Sequence, residues 1–169
     1  MELALTPQIL RKILCGKPLA QAHIAGSPAY PSIRGKVSFF QTAQGVVVVA
    51  DLTGLPPSEA PAMPGCDRPV FAMHIHGGGQ CSGDAEDPFL YAGAHYNPEG
   101  CPHPAHAGDL PPLFSNGGTA WSAVLTNRFT VRAVIGKAVI VHRNPDDFSS
   151  QPSGGAGEKI ACGIIRALA

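Results

Sequence analysis

One stretch limits what this chain can fold into more than any other: His95 to Asp109, H-Y-N-P-E-G-C-P-H-P-A-H-A-G-D. Pro98, Pro102 and Pro104, with Gly100 and Gly108, rule out a helix or a central strand here. The segment is too polar to pack on itself and too long to stay ordered in a compact domain without an anchor. It carries His95, His103, His106 and Asp109. Three imidazoles and a carboxylate complete a tetrahedral shell for zinc and leave no position open for substrate. A metal ion supplies the missing anchor. A single histidine is ordinarily a surface or satisfied core residue. The grouping argues otherwise, because five of the seven histidines fall between His74 and His106, about a fifth of the chain.

Just upstream, Val70 to His76 reads V-F-A-M-H-I-H, a strand. Residues two apart on a strand share a face. His74 and His76 therefore point the same way, a geometry suited to two ligands of one metal.

The rest of the chain supplies the frame. Thr6-Pro7 is an N-cap followed by proline at the first helical position, Ile9, Leu10, Ile13 and Leu14 fall at helical spacing, and Gly16 closes the segment. This predicts a short amphipathic helix that packs on the body of the domain or on a partner subunit. Strands are predicted over Leu19–Gly26, Arg34–Thr42 and Val46–Leu52, with a tight connection at Ala43-Gln44-Gly45. A Pro/Gly/Ala connection covers Gly54–Pro69, and a long stretch without strand patterning covers Gly77–Gly118. Further strands are predicted over Thr119–Thr126, Phe129–Val134, Lys137–His142 and Lys159–Leu168, the last two separated by a second loop. The predicted fold is all-β: a Greek-key sandwich or flattened barrel of about eight antiparallel strands with a short N-terminal helix. Residues 1–18 form the helical extension and 19–169 the β domain.

Composition narrows the function. Lys plus Arg and Asp plus Glu both number 12, so the net charge is zero and no basic field is available for nucleic acid or an acidic membrane surface. No apolar run reaches membrane-spanning length. The N-terminus lacks the basic and unbroken apolar regions of a signal peptide. Cysteines stand at positions 15, 66, 81, 101 and 162, none in C-x-x-C spacing. Two pairs and one free thiol is the natural division, and the spacing leaves the pairing open. Disulfides favour an oxidising compartment and the missing leader favours the cytoplasm, so the location stays open.

Taken in order, the segments F-A-M-H-I-H, A-H-Y-N-P, H-A-G-D-L, I-G-K-A-V-I-V-H, P-D-D and G-G-A-G-E-K-I-A-C-G-I-I resemble the copper–zinc superoxide dismutase family, its bacterial branch above all. The resemblance implies dismutation of superoxide to dioxygen and hydrogen peroxide, with copper and zinc as cofactors. It implies that His74, His76, His95 and His142 bind copper, and that His95, His103, His106 and Asp109 bind zinc, with His95 shared. Asp146 would link His74 to His103 through hydrogen bonds that fix ring orientation. Cys81 and Cys162 match the family's internal disulfide, and Cys66 with Cys101 is then the expected second bridge. His95 would be catalytic as the proton carrier and Lys159 as the cation that attracts the anion. Lys159 stands where the family usually has arginine, which keeps the charge but loses the planar fork. Lys137 and Arg143 are expected to add to the positive funnel, and a homodimer is among the assemblies that the resemblance allows. Two rival readings remain at this point: a dismutase-like metal-binding protein with little or no turnover, and a structural β-sandwich holding zinc alone.

Overall fold

The computed structural model describes residues 6–58 and 69–169. Thr6 caps helix α1 (Pro7–Leu14) by accepting a hydrogen bond from the Ile9 N–H at 3.3 Å, and the Cys15 N–H closes its end on the Arg11 carbonyl at 3.0 Å. None of its residues is fully buried. Leu14 shares a shallow groove with Phe40, Val49 and Trp121 on the outer face of the sheet.

A meander follows: β1 (Ala20–Gly26), β2 (Arg34–Thr42) and β3 (Gly45–Thr53). The run Val46–Val49 is β-branched, which suits a pleated, buried surface, and β2 pairs with β3 in unbroken register from Arg34↔Thr53 to Thr42↔Gly45. The remaining strands are β4 (Val70–Phe71), β5 (Met73–His76), β6 (Leu113–Phe114), β7 (Ala120–Thr126), β8 (Ala138–His142) and β9 (Lys159–Ala167). Seven of them form one curled antiparallel sheet, in the order β5-β8-β9-β1-β2-β3-β7, and β4 pairs with β6 in a small second sheet. The order places β5 and β8 beyond β9, far from β3 and β7, their neighbours in sequence. That crossing of the chain gives the expected Greek-key architecture, with one more strand among the described residues than the eight expected.

Alternation fills the interior. Val37, Phe39, Val48, Leu52, Met73 and Ile75 belong to one buried core. Phe39 and Phe129 meet edge-on with ring centroids 6.5 Å apart, and each phenyl buried this way contributes about 1.5–3 kcal/mol. Phe89 and Ala92 form a smaller cluster with Ala138, Ile140 and Cys162.

Three expectations change. The strand expected over Val70–His76 is interrupted at Ala72: β4 joins the small sheet and β5 the large one, because the Ala72 N–H bonds the Asn144 carbonyl and the Ala72 carbonyl accepts from the His142 N–H. The strand expected over Phe129–Val134 is instead a single helical turn, α2 (Val131–Val134), since the Thr130 hydroxyl accepts from the Ala133 N–H and caps it. The stretch Gly77–Gly118 holds a 3-10 turn at Leu90–Ala92 and strand β6.

Candidate metal centre

Strand β5 is buried on both faces. Met73 and Ile75 point into the main core, which leaves His74 and His76 on the opposite face. One edge of β5 pairs with β8, setting His74 beside Ile140 and His76 beside Ala138. The other edge receives both ends of the His95–Asp109 loop. His95 sits opposite His76 and Asp109 opposite His74. The Ile75 carbonyl accepts from the Tyr96 N–H, and the Ile75 N–H donates to the Gly108 carbonyl, each at 2.8 Å. A side chain at Gly108 would overlap the Ile75 carbonyl, so glycine permits this close approach. His142 ends β8, where the register with β9 shifts between Val141 and His142.

The result is two groups of ligand-type residues that share one member. His74, His76, His95 and His142 form the first, and His95, His103, His106 and Asp109 the second; within each group the donor atoms lie within 4.8 Å of one another, and all are buried. In the first group, His76 Nε2 is 3.2 Å from His142 Nε2. In the second, Asp109 Oδ1 lies 2.8 Å from His95 Nδ1 and 3.3 Å from His106 Nδ1, and Asp109 Oδ2 lies 3.0 Å from His103 Nδ1.

The outward nitrogens are already occupied. His76 Nδ1 is 2.6 Å from the Gly93 carbonyl and His142 Nδ1 is 3.2 Å from that of Gly157. Asp146 stands between the groups: Oδ2 is 2.8 Å from His74 Nε2, Oδ1 is 2.9 Å from His103 Nε2, and Oδ1 also accepts from the Phe148 N–H at 2.7 Å. These bonds fix tautomers and ring planes as metal ligation requires. They leave His74 Nδ1 and His95 Nε2 buried without a hydrogen-bond partner. Buried polar atoms of that kind are costly unless something satisfies them, and the ring nitrogens face the two groups. The donor set suits metal ions: imidazoles and no thiolate in the first group, imidazoles with one carboxylate in the second.

Electrostatics agree. Burial, with like charge from the neighbouring rings, lowers His74 to about 4, His76 to about 2 and His142 to about 3. These rings are therefore neutral, the form that binds metal. Burial pushes Asp109 up, but the His95 hydrogen bond and the charges of His103 and His106 overcome it and hold it at about 2. Asp146 is lowered too, against burial, by its bonds from His74, Phe148 and His103.

The first group opens on a cleft of about 390 Å³ lined by His76, His95, His106, His142, Ser153 and Lys159 among others. Lys159 is ion-paired with Asp87. Lys137 and Arg143, expected to add to a positive funnel, are engaged beside the cleft's surroundings. Lys137 lies over the Tyr96 ring, 4.3 Å from its centroid, and Arg143 donates to the Pro57 carbonyl and lies over Phe71. Neither lines the cleft.

The Cys81–Cys162 disulfide is formed and ties the loop after β5 to β9. Cys101 is a free, half-buried thiol, and Cys66, its expected partner in the second bridge, lies outside the described residues. Asn97 holds that part of the loop, donating to the Cys101 carbonyl at 2.8 Å and accepting from the Cys101 N–H at 3.0 Å.

Sequence reasoning missed three residues around the site. Arg128 donates to the carbonyls of Pro104, His106 and Asp109 at 2.9, 3.1 and 3.3 Å. Gln151 accepts from the His103 N–H at 3.0 Å and donates to its carbonyl at 2.7 Å. Asp87 is the third. No motif in the sequence singles out any of them.

Fold and site together define a β-barrel protein with two adjacent buried groups able to hold metal ions. A family model described as copper/zinc superoxide dismutase matches residues 33–165. Superoxide dismutase [Cu-Zn] 2 of Aquifex aeolicus (strain VF5) is 33% identical over 147 residues, covering 78% of each chain. Superoxide dismutase [Cu-Zn] of Legionella pneumophila is 34% identical over 144 residues, covering 80% of each. The solved Cu/Zn superoxide dismutase from Brucella abortus shares the fold, with a TM-score of 0.70 and 23% identity over 86% of this chain and 98% of that one. This chain belongs to the copper/zinc superoxide dismutase family.

Proposed function

We propose that this chain dismutates superoxide, with copper held by His74, His76, His95 and His142 and zinc by His95, His103, His106 and Asp109. The observation that carries the reading is the position of His95. Its Nδ1 faces Asp109 and His106, while Nε2 is buried and unpartnered and belongs with the His74, His76 and His142 rings. When bound, copper supplies the one-electron chemistry that oxidises one superoxide to dioxygen and reduces a second to peroxide, and zinc, which has no redox chemistry, stays fixed beside it.

The chain's residues supply the rest. His95 Nε2 is the atom that takes up one proton and returns it to the departing peroxide, whose second proton comes from water in the cleft. Asp146 keeps His74 and His103 in one orientation through both half-reactions. His76 and His142 are held by backbone carbonyls, so their Nε2 atoms cannot turn away. Lys159 is the cation in the cleft that draws the anion inward.

Elemental analysis joined to a superoxide assay tests this. One copper and one zinc per chain, with rapid superoxide removal by the loaded protein, is the expected result. Zinc alone at both groups, or a fully loaded protein without turnover, overturns it.

A further inference from the structure

We propose that Asp87 sets the charge an incoming anion meets at the cleft, by holding Lys159 and partly neutralising it. The inference rests on the cleft being the anion's route to the proposed copper group. Among the described residues lining the cleft, Lys159 is the one Lys or Arg. Its Nζ is bonded to Asp87 Oδ2. Asp87 does not line the cleft itself. The two side chains are 17% and 32% exposed, so solvent screens their attraction only in part.

Asp87 is held in place. Its Oδ1 accepts from the Phe89 N–H at 3.0 Å, and its carbonyl accepts from the N–H groups of Asp84 and Leu90 at 3.0 and 3.1 Å. Asp84 Oδ1 accepts from the Asp87 N–H at 2.8 Å. Phe89 is buried against Ala138, Ile140 and Cys162, and the Cys81–Cys162 disulfide joins the same two segments. The carboxylate therefore sits on a rigid base, while the lysine reaches it on a flexible stem. A lone ammonium attracts an anion over a long range. An ammonium beside a carboxylate presents a dipole, whose field falls off faster, and a bound anion must compete with Asp87 for the same donors. A lysine makes this restraint possible, since its ammonium can swing between carboxylate and anion.

The test uses azide as the probe anion on the full chain loaded with copper and zinc. Asp87→Asn removes the charge and keeps the Oδ1 acceptor for Phe89. Azide should bind the variant roughly threefold to tenfold more tightly, and its binding should depend more steeply on salt. In a Lys159→Met background the same substitution should change azide binding by less than about twofold. Unchanged or weaker azide binding in Asp87→Asn, or equal tightening without Lys159, overturns the inference. A salt titration of the unsubstituted chain is a second measurement: its slope should lie close to that of the doubly neutral Lys159→Met/Asp87→Asn chain, and a much steeper slope also overturns it. Azide binding without dismutation would end the proposed activity and leave Asp87's role standing; dismutation with azide affinity indifferent to Asp87→Asn would do the reverse.

Discussion

The two halves of the metal centre are built from different materials. His74, His76 and His142 stand on β5 and β8, neighbours in a hydrogen-bonded sheet. His95, His103, His106 and Asp109 stand on a loop without regular structure, stitched at its ends to the β5 edge. The strand-borne half takes its geometry from the sheet and needs only outward carbonyls to set the rings. The loop-borne half has no such frame and relies on ties from elsewhere: Arg128, Gln151 and Asp146 each reach into it from distant parts of the chain. A site placed on a sheet is positioned by folding itself, whereas one placed on a loop must be positioned contact by contact.

Breaking the strand-borne half should have the largest effect. His142→Ala removes a proposed copper ligand, and since loss of a mere supporting partner costs about 10–100-fold, activity should fall at least about 100-fold. Zinc content should hold. An activity assay with elemental analysis decides, and retained activity would remove His142 from the copper group.

Next comes the loop. Arg128→Ala should weaken zinc about tenfold, measured by chelator competition, and copper by less than about threefold. If both metals weaken equally, the halves are not independent. Hydrogen exchange should agree: zinc removal should lower protection over residues 95–109 and leave the amides of β5 and β8 protected.

Gly154→Ala probes the joint between the halves. Gly154 has a φ of +67°, and an added Cβ would overlap Asp146 Oδ1 and lie 2.7 Å from His103 Nε2. The strain should cost about 2 kcal/mol, or roughly 5 °C in melting temperature, and should weaken both metals because Asp146 serves both groups. A variant that melts like the parent with one metal unaffected would show that Asp146 does not couple them.

A last test is pH. His74, His76 and His142 titrate lower in the fold than the ordinary 6.5, at about 4, 2 and 3. The unfolded chain therefore binds more protons as the pH drops below 6.5. The metal-free protein should keep its full stability above that value and lose it progressively toward pH 4. Melting temperatures at about pH 7.5 and 5 check the sign; no decline would mean that these rings are not buried in the neutral form.

Much of this was readable in advance wherever the signal is local. The cap at Thr6 and the proline after it, the β-branched run that opens Val46–Leu52 and the i, i+2 spacing of His74 and His76 each depend on a few adjacent residues. The exceptions follow the same logic. Val131–Val134 has the composition of a strand, and one hydroxyl, that of Thr130, turned it into a helix. Val70–His76 reads as one strand, and the bonds of Ala72 to Asn144 and His142 divide it.

Periodicity, breaker residues and donor chemistry are properties of short stretches, so the chain announces its strands, its loop and its metal-type ligands without being folded. Which ring nitrogen faces which group, the ties from Arg128 and Gln151, and the pairing of Lys159 with Asp87 depend on strand order and loop closure. Those arise between residues far apart in the chain, where no spacing rule reaches, and packing alone selects among the alternatives.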